Sequence, residues 1–167
     1  MIQVYTGNGK GKTTAALGLA LRASGAGKKV YICQFAKGRL YNEIKTLKKI
    51  SNIKIEQFGR RCFIKKSLDK IDVKLALAGL EAVKKIISSK KHQLIILDEI
   101  NIAVKYKLIP LGDLIELIKK TPRNIEIILT GRYAHSEILD LADLVSEIKE
   151  IKHYYNLGVK ARRGIEY

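Results

Sequence analysis

The sequence predicts an α/β fold, a mostly parallel sheet with helices on both faces. Three observations predict it. Short apolar runs at 2–5, 29–34, 93–97 and 125–129 alternate with stretches of helical period. The runs Val30-Tyr31-Ile32-Cys33 and Leu94-Ile95-Ile96-Leu97 are continuous, as strands covered on both faces are. The first run passes straight into a glycine-rich loop that opens a helix.

In chain order, a strand at 2–5 leads into Thr6-Gly7-Asn8-Gly9-Lys10-Gly11-Lys12-Thr13-Thr14. This is the form of a phosphate-binding P-loop. Glycines let backbone N–H groups converge on one centre, and the next helix points its positive end there. Lys12 adds a full charge, and the Thr13 hydroxyl can ligate Mg²⁺. The usual spacing places a glycine five residues before Gly11, where this chain has Thr6, so the loop is one residue short.

A helix follows at 12–24, with Ala16, Leu17, Leu19, Ala20 and Ala23 apolar, and Gly25-Ala26-Gly27 ends it through a left-handed cap. A strand at 29–34, a loop at 35–40, a helix at 41–50 and a strand at 53–58 come next. Residues 59–67 are basic and irregular. A long helix at 69–88 carries Ile71, Leu75, Ala78, Ala82 and Ile86 near one stripe. The strand at 93–97 ends at Asp98-Glu99, and a short helix runs through Ala103 and Val104. Pro110 opens a helix with Leu114, Leu117 and Ile118 as its stripe, and Thr121-Pro122 stops it. A strand at 125–129, the loop Thr130-Gly131-Arg132, a short helix at 136–142, a last strand at 144–151 and a basic tail at about 152–167 complete the chain.

At 167 residues the chain reads as a single P-loop nucleotide-binding domain spanning 1–167. No apolar run approaches the roughly 18–20 residues that cross a bilayer, so no membrane partner is expected. The N-terminus lacks a signal-peptide layout, and the expected location is cytoplasmic. Cys33 and Cys62 are too few to staple a fold. The formal charge of +16 suits a polyanion such as a triphosphate, but the lysine pairs are scattered, as on solvated helix faces. Nucleic acid is therefore an unlikely partner.

Ligands of parallel sheets bind beyond the carboxyl ends of the strands. That rim collects the P-loop, Gln34-Phe35, 58–63, Asp98-Glu99 and 130–132. A carboxylate at Asp98 or Glu99, facing Thr13, can hold Mg²⁺. His135 reads either as a catalytic residue or phosphate contact or as a solvated loop residue, His92 as a surface residue, and His153 stays open. The three lack zinc-site spacing. These residues specify a Mg²⁺–nucleoside triphosphate site and leave the reaction open.

Several blocks in order resemble the P-loop-type ATP:corrinoid adenosyltransferases, also called cob(I)alamin adenosyltransferases. They are the short P-loop from Val4 to Ala16, Gln34-Phe35 with Lys37-Gly38, and Leu97-Asp98-Glu99. Thr130-Gly131-Arg132, the run from Ile138 to Asp143, Val145-Ser146-Glu147, Gly158-Val159-Lys160-Ala161 and Gly164-Ile165 with Tyr167 complete the set. The resemblance implies a RecA-like P-loop NTPase fold and transfer of the 5′-deoxyadenosyl group of ATP to Co(I) of a corrinoid, releasing tripolyphosphate. It implies that Gly7, Asn8, Gly9, Lys10, Gly11, Lys12, Thr13 and Thr14 bind the triphosphate, with Lys12, Thr13 and Glu99 in the catalytic set. Thr13 with Glu99 would hold Mg²⁺, Asp98 being the fallback ligand. Arg22 takes a weaker nucleotide role. Phe63 reads either as an aromatic that displaces the corrinoid's lower axial ligand or as a satellite core residue. The resemblance also implies a homodimer and a flavoprotein reductant. Two departures stand out: this sequence starts at its first strand, where family members carry an extra N-terminal segment, and it has no Trp. The competing readings are a RecA-like ATPase acting on nucleic acid and a small-molecule kinase, for which no arginine-rich lid is evident.

Overall fold

The computed structural model describes residues 1–39, 41–60 and 69–167. Among the described residues six strands form one sheet in the order β3-β2-β4-β5-β1-β6, and every pairing is parallel. The strands are β1 (Ile2–Thr6), β2 (Val30–Phe35), β3 (Ile53–Phe58), β4 (Leu94–Asp98), β5 (Glu126–Thr130) and β6 (Leu144–Glu147). The helices are α1 (Lys12–Gly25), α2 (Asn42–Leu47), α3 (Lys70–Ser89), α4 (Ile100–Lys105), α5 (Leu111–Lys120) and α6 (Ser136–Leu141). A 3₁₀ turn, Tyr154–Leu157, precedes the tail.

Strand alternation sorts the continuous apolar runs into two cores. Ile95 and Leu97 of β4 face one layer with Ala76, Leu80 and Val83 of α3, Ile100 of α4 and Leu114 of α5. Leu94 and Ile96 face the other, with Ala16, Leu17 and Ala20 of α1 and Ile44 of α2. Helices therefore cover both faces, as the uninterrupted runs require.

Several boundaries differ from expectation for local reasons. The buried stripe of α3 is Asp72, Ala76, Gly79, Leu80, Val83 and Ile87, one residue on from the predicted one, and Ile71 is exposed. Gly79 sets that register. A Cβ there would come within 2.9 Å of the Phe35 and Phe58 rings, so only glycine lets α3 lie this close to β2 and β3. Asp69 caps the helix by accepting from Ile71 N. The helix expected at 41–50 is only Asn42–Leu47. The left-handed residue after α1 is Gly27, while Ala26 keeps a negative φ. The last strand stops at Glu147, because the chain then leaves the sheet to run along the P-loop. His92 is half-buried, with its ring edge-on to Tyr31.

Candidate active site

The P-loop is built against the backbone that follows β6. β1 stays in the sheet through Thr6, which pairs with Glu147, so the turn begins at Gly7. This is why a threonine stands where a glycine is usual. Ile148 N donates to Thr6 O at 2.9 Å, and Gly9 N donates to Ile148 O at 2.7 Å. Gly7 takes φ +93°, and a Cβ on it would lie 2.5 Å from Ile148 O. Gly11, at φ +120°, turns the chain into α1. Inside the loop the Lys12 ammonium donates to the carbonyls of Gly7 at 2.7 Å and Gly9 at 2.6 Å. Burial lowers its pKa; Glu99 opposes this, and Arg132 and Lys37 add to it.

Facing Thr13 is a buried carboxylate. Asp98, at the end of β4, is fully buried. Its Oδ1 accepts from Thr13 Oγ1 at 2.9 Å and Thr130 Oγ1 at 2.7 Å. Its Oδ2 accepts from Gln34 Nε2 at 3.0 Å and Lys37 Nζ at 2.8 Å. Burial works against its ionisation, but the Lys37 charge and the hydrogen bonds from Lys37, Thr130 and Thr13 outweigh it, and the pKa is lowered. Glu99 is the N-cap of α4 in a left-handed conformation, φ +61°. Burial raises its pKa, with Lys37 opposing and Asp98 reinforcing the rise. A hydroxyl and two carboxylates are hard oxygen donors, and an ammonium already lies among them, so the set fits Mg²⁺.

The second loop lysine points outward. Lys10 Nζ donates to Glu166 at 2.8 Å and to Tyr154 Oη at 2.7 Å. Glu166 also accepts from Arg162 N at 2.6 Å, which folds the tail back onto the loop. Asn42 Nδ2 donates to Tyr167 O at 2.9 Å and ties down its end. Between tail and α1 lies a groove of about 580 Å³. Leu17, Gly18 and Leu21 line one side, Tyr41 and Tyr167 others, and Lys10, Thr13, Thr14 and Lys37 the end next to the P-loop.

A sequence model described as "ATP:corrinoid adenosyltransferase BtuR/CobO/CobP" matches residues 1–167. The chain belongs to the ATP:corrinoid adenosyltransferase family. Corrinoid adenosyltransferase CobA of Salmonella typhimurium is 37% identical over 167 residues, spanning 100% of this chain and 85% of that one. Corrinoid adenosyltransferase of Escherichia coli K12 is 36% identical with the same spans. The KaiC-like protein PH0186 of Pyrococcus horikoshii matches in structure with a TM-score of 0.58 at 18% identity, covering 89% of this chain and 71% of that one. That likeness carries the RecA-like P-loop fold. Family membership makes the chain an enzyme that adenosylates corrinoids at the expense of ATP.

Of the expected site residues, the structure brings Gly7, Gly9, Lys12 and Thr13 together near the pair Asp98-Glu99, whereas Lys10 turns to the tail. Thr13 hydrogen-bonds Asp98, the fallback carboxylate, directly. Arg22 is exposed in the last turn of α1, roughly 15 Å along the axis from Lys12, and is not brought to the loop. Phe63 lies outside the described residues. His135 and His153 use Nδ1 to accept from the backbone N–H of Glu137 and Tyr155, as caps. Sequence reasoning gave no role to Gln34, Thr130 and Glu166. The first two follow the strand-end rule and were legible as rim positions. Glu166, a lone acid in a basic tail, carried no signal of where the tail would fold.

Proposed function

We propose that this enzyme transfers the 5′-deoxyadenosyl group of ATP to the Co(I) centre of a reduced corrinoid and releases tripolyphosphate. The observation that carries this reading is a groove whose P-loop end is lined by Lys10, Thr13, Thr14 and Lys37, with the Lys12 ammonium held inside the adjoining loop. Co(I) supplies the electron pair that forms the Co–C5′ bond. The C5′–O5′ bond breaks, its pair leaves on the triphosphate, and cobalt is formally oxidised to Co(III). The step needs no proton transfer.

The protein's part is electrostatic and positional. Lys12 sits beneath the loop, and Lys10 and Lys37 flank it, so positive charge meets the departing polyphosphate. Thr13 with Glu99, and Asp98 beside them, would hold Mg²⁺, which supplies further positive charge to that leaving group. Seating ATP in the groove and the corrinoid over its open side removes much of the bimolecular entropy cost. Residues 1–167 act as one nucleotide-binding unit, working as a homodimer in the cytoplasm with a flavoprotein supplying electrons, in the formation or salvage of adenosylated corrinoids.

The deciding experiment incubates the protein with Mg-ATP and cob(I)alamin under strong reductant. Adenosylcobalamin and tripolyphosphate should appear in equal amounts. ADP and phosphate as the products, stimulated by DNA or by a small phosphate acceptor, would overturn the reading.

A further inference from the structure

We infer that Lys37 is an internal counter-cation of the Asp98 cage, one that a divalent metal displaces, so that its ammonium passes from Asp98 to the polyphosphate when Mg-ATP binds. The inference rests on the metal role proposed for Thr13, Glu99 and Asp98. It assigns to Lys37 a positioning role that belongs to no P-loop or acidic strand-end motif.

The geometry is specific. Lys37 Nζ lies 2.8 Å from Asp98 Oδ2, 3.1 Å from Thr13 Oγ1 and 3.8 Å from Glu99 Oε1. Those are the three side chains whose oxygens suit Mg²⁺. A metal needs them at about 2.0–2.1 Å. An ammonium and a dication drawn to the same oxygens would sit within a few ångströms of each other, where their repulsion is large in a buried setting. One of them must leave.

The surroundings fix the backbone of Lys37 and leave its head free to move. Ala36 holds φ +55°. A Cβ on Gly38 would lie 2.3 Å from Gly59 O, and one on Gly59 would lie 2.4 Å from Lys37 N, so the turns after β2 and β3 pack backbone on backbone. The Lys37 side chain is 21% exposed and lines the groove beside Lys10 and Thr14. A flexible four-carbon stem can swing its charge from Asp98 into that groove without moving the main chain. Asp98 is fully buried, and such a carboxylate needs a cation at all times. Lys37 meets that need in the interval between metals, and the Thr13–Asp98 contact stays assembled.

The test compares wild type, Lys37→Met and Lys37→Arg by thermal unfolding in EDTA and in MgCl₂, with no nucleotide, and by titration with Mn²⁺ as the metal probe. In EDTA, Lys37→Met should melt roughly 5–10 °C below wild type, since a buried carboxylate loses its partner. MgCl₂ alone should recover at least half of that loss while leaving wild type in place. Mn²⁺ should bind Lys37→Met at least ~10-fold more tightly than wild type, since the competing charge is gone. Lys37→Arg should follow wild type in both readouts. If Lys37→Met does not fold, Lys37→Gln gives the same comparison. Unchanged Mn²⁺ affinity and no recovery in MgCl₂ would overturn the inference. Failure of the underlying metal reading looks different: ATP binding by wild type would then be independent of Mg²⁺.

Discussion

Gly9→Ala probes how the P-loop holds its shape. A Cβ at position 9 would lie 2.7 Å from Lys149 O, 2.8 Å from Lys149 C and 2.9 Å from Ile148 Cγ2. Carbon contacts settle at about 3.5–4.0 Å, so the passing chain must retreat by most of an ångström. Two of those three atoms are backbone and cannot rotate away. The retreat strains or breaks the Gly9 N–Ile148 O bond of 2.7 Å, worth about 0.5–1.5 kcal/mol. Overpacking adds about 1–3 kcal/mol. β6 is exposed at all its residues and yields easily, which keeps the total near the low end, about 2 kcal/mol. For a chain of this size that is a fall in Tm of roughly 4–8 °C. The loop carbonyl at residue 9 also receives the Lys12 ammonium, so KM for ATP should rise ~10-fold or more. Gly112→Ala is the control. It sits in α5, outside the groove, and its Cβ would meet nothing within 4 Å. Removing a helical glycine should stabilise by about 0.5–1 kcal/mol. Circular dichroism melts and ATP saturation curves on both variants decide the matter. A Gly9→Ala protein that melts with wild type and keeps its KM would refute the claim that residues 148–149 shape the loop.

Three further outcomes are expected. Lys12→Ala should abolish transfer in the cob(I)alamin assay, a loss of at least ~10²-fold in kcat; wild-type turnover would show that the loop does not serve the triphosphate. Phe63→Ala should depress activity from cob(II)alamin more than activity from pre-reduced cob(I)alamin, and equal losses would reject an axial-ligand role. Glu99→Gln should raise the Tm of the protein without metal or nucleotide by about 1–3 °C at neutral pH while weakening Mg-ATP binding. The sign follows from the raised pKa of Glu99. A carboxyl whose folded pKa is raised favours folding below its unfolded pKa, and that contribution is lost as pH rises through the folded value. The difference between Glu99→Gln and wild type should therefore shrink in melts at low pH, and a constant difference would reject burial as its cause.

The sheet was legible because its strands are continuous apolar runs, and β2 and β4 were placed to within a residue. The α3 stripe was misplaced because its register is set by a contact no periodicity reports. Gly79 must face the Phe35 and Phe58 rings, and that turns Ile71 outward despite its hydrophobicity. β6 was overextended for a related reason. Residues 148–151 hold strand-compatible side chains, but the backbone of 148 is taken by Gly9. The site divides the same way. Thr13, Asp98 and Glu99 were readable as strand-end and loop-end positions, whereas the partner of Lys10 lies 156 residues away in a tail without periodicity.

On the proposed reading, the two loop lysines would meet a polyanion from opposite starting points. Lys12 is buried, donates to two carbonyls of its own loop, and has its pKa lowered by that burial. A phosphate brings a stronger acceptor to a charge that is poorly matched where it sits, so the exchange favours binding. Lys10 is well paired, and the hydrogen bonds to Glu166 and Tyr154 raise its pKa. Any phosphate that recruits Lys10 must compete with Glu166, whose other contacts with Tyr154 and Arg162 hold the tail closed. Lys12 therefore contributes at any geometry the loop allows. Lys10 contributes only where the polyphosphate reaches the mouth of the groove, and its recruitment loosens the wall formed by residues 164–167.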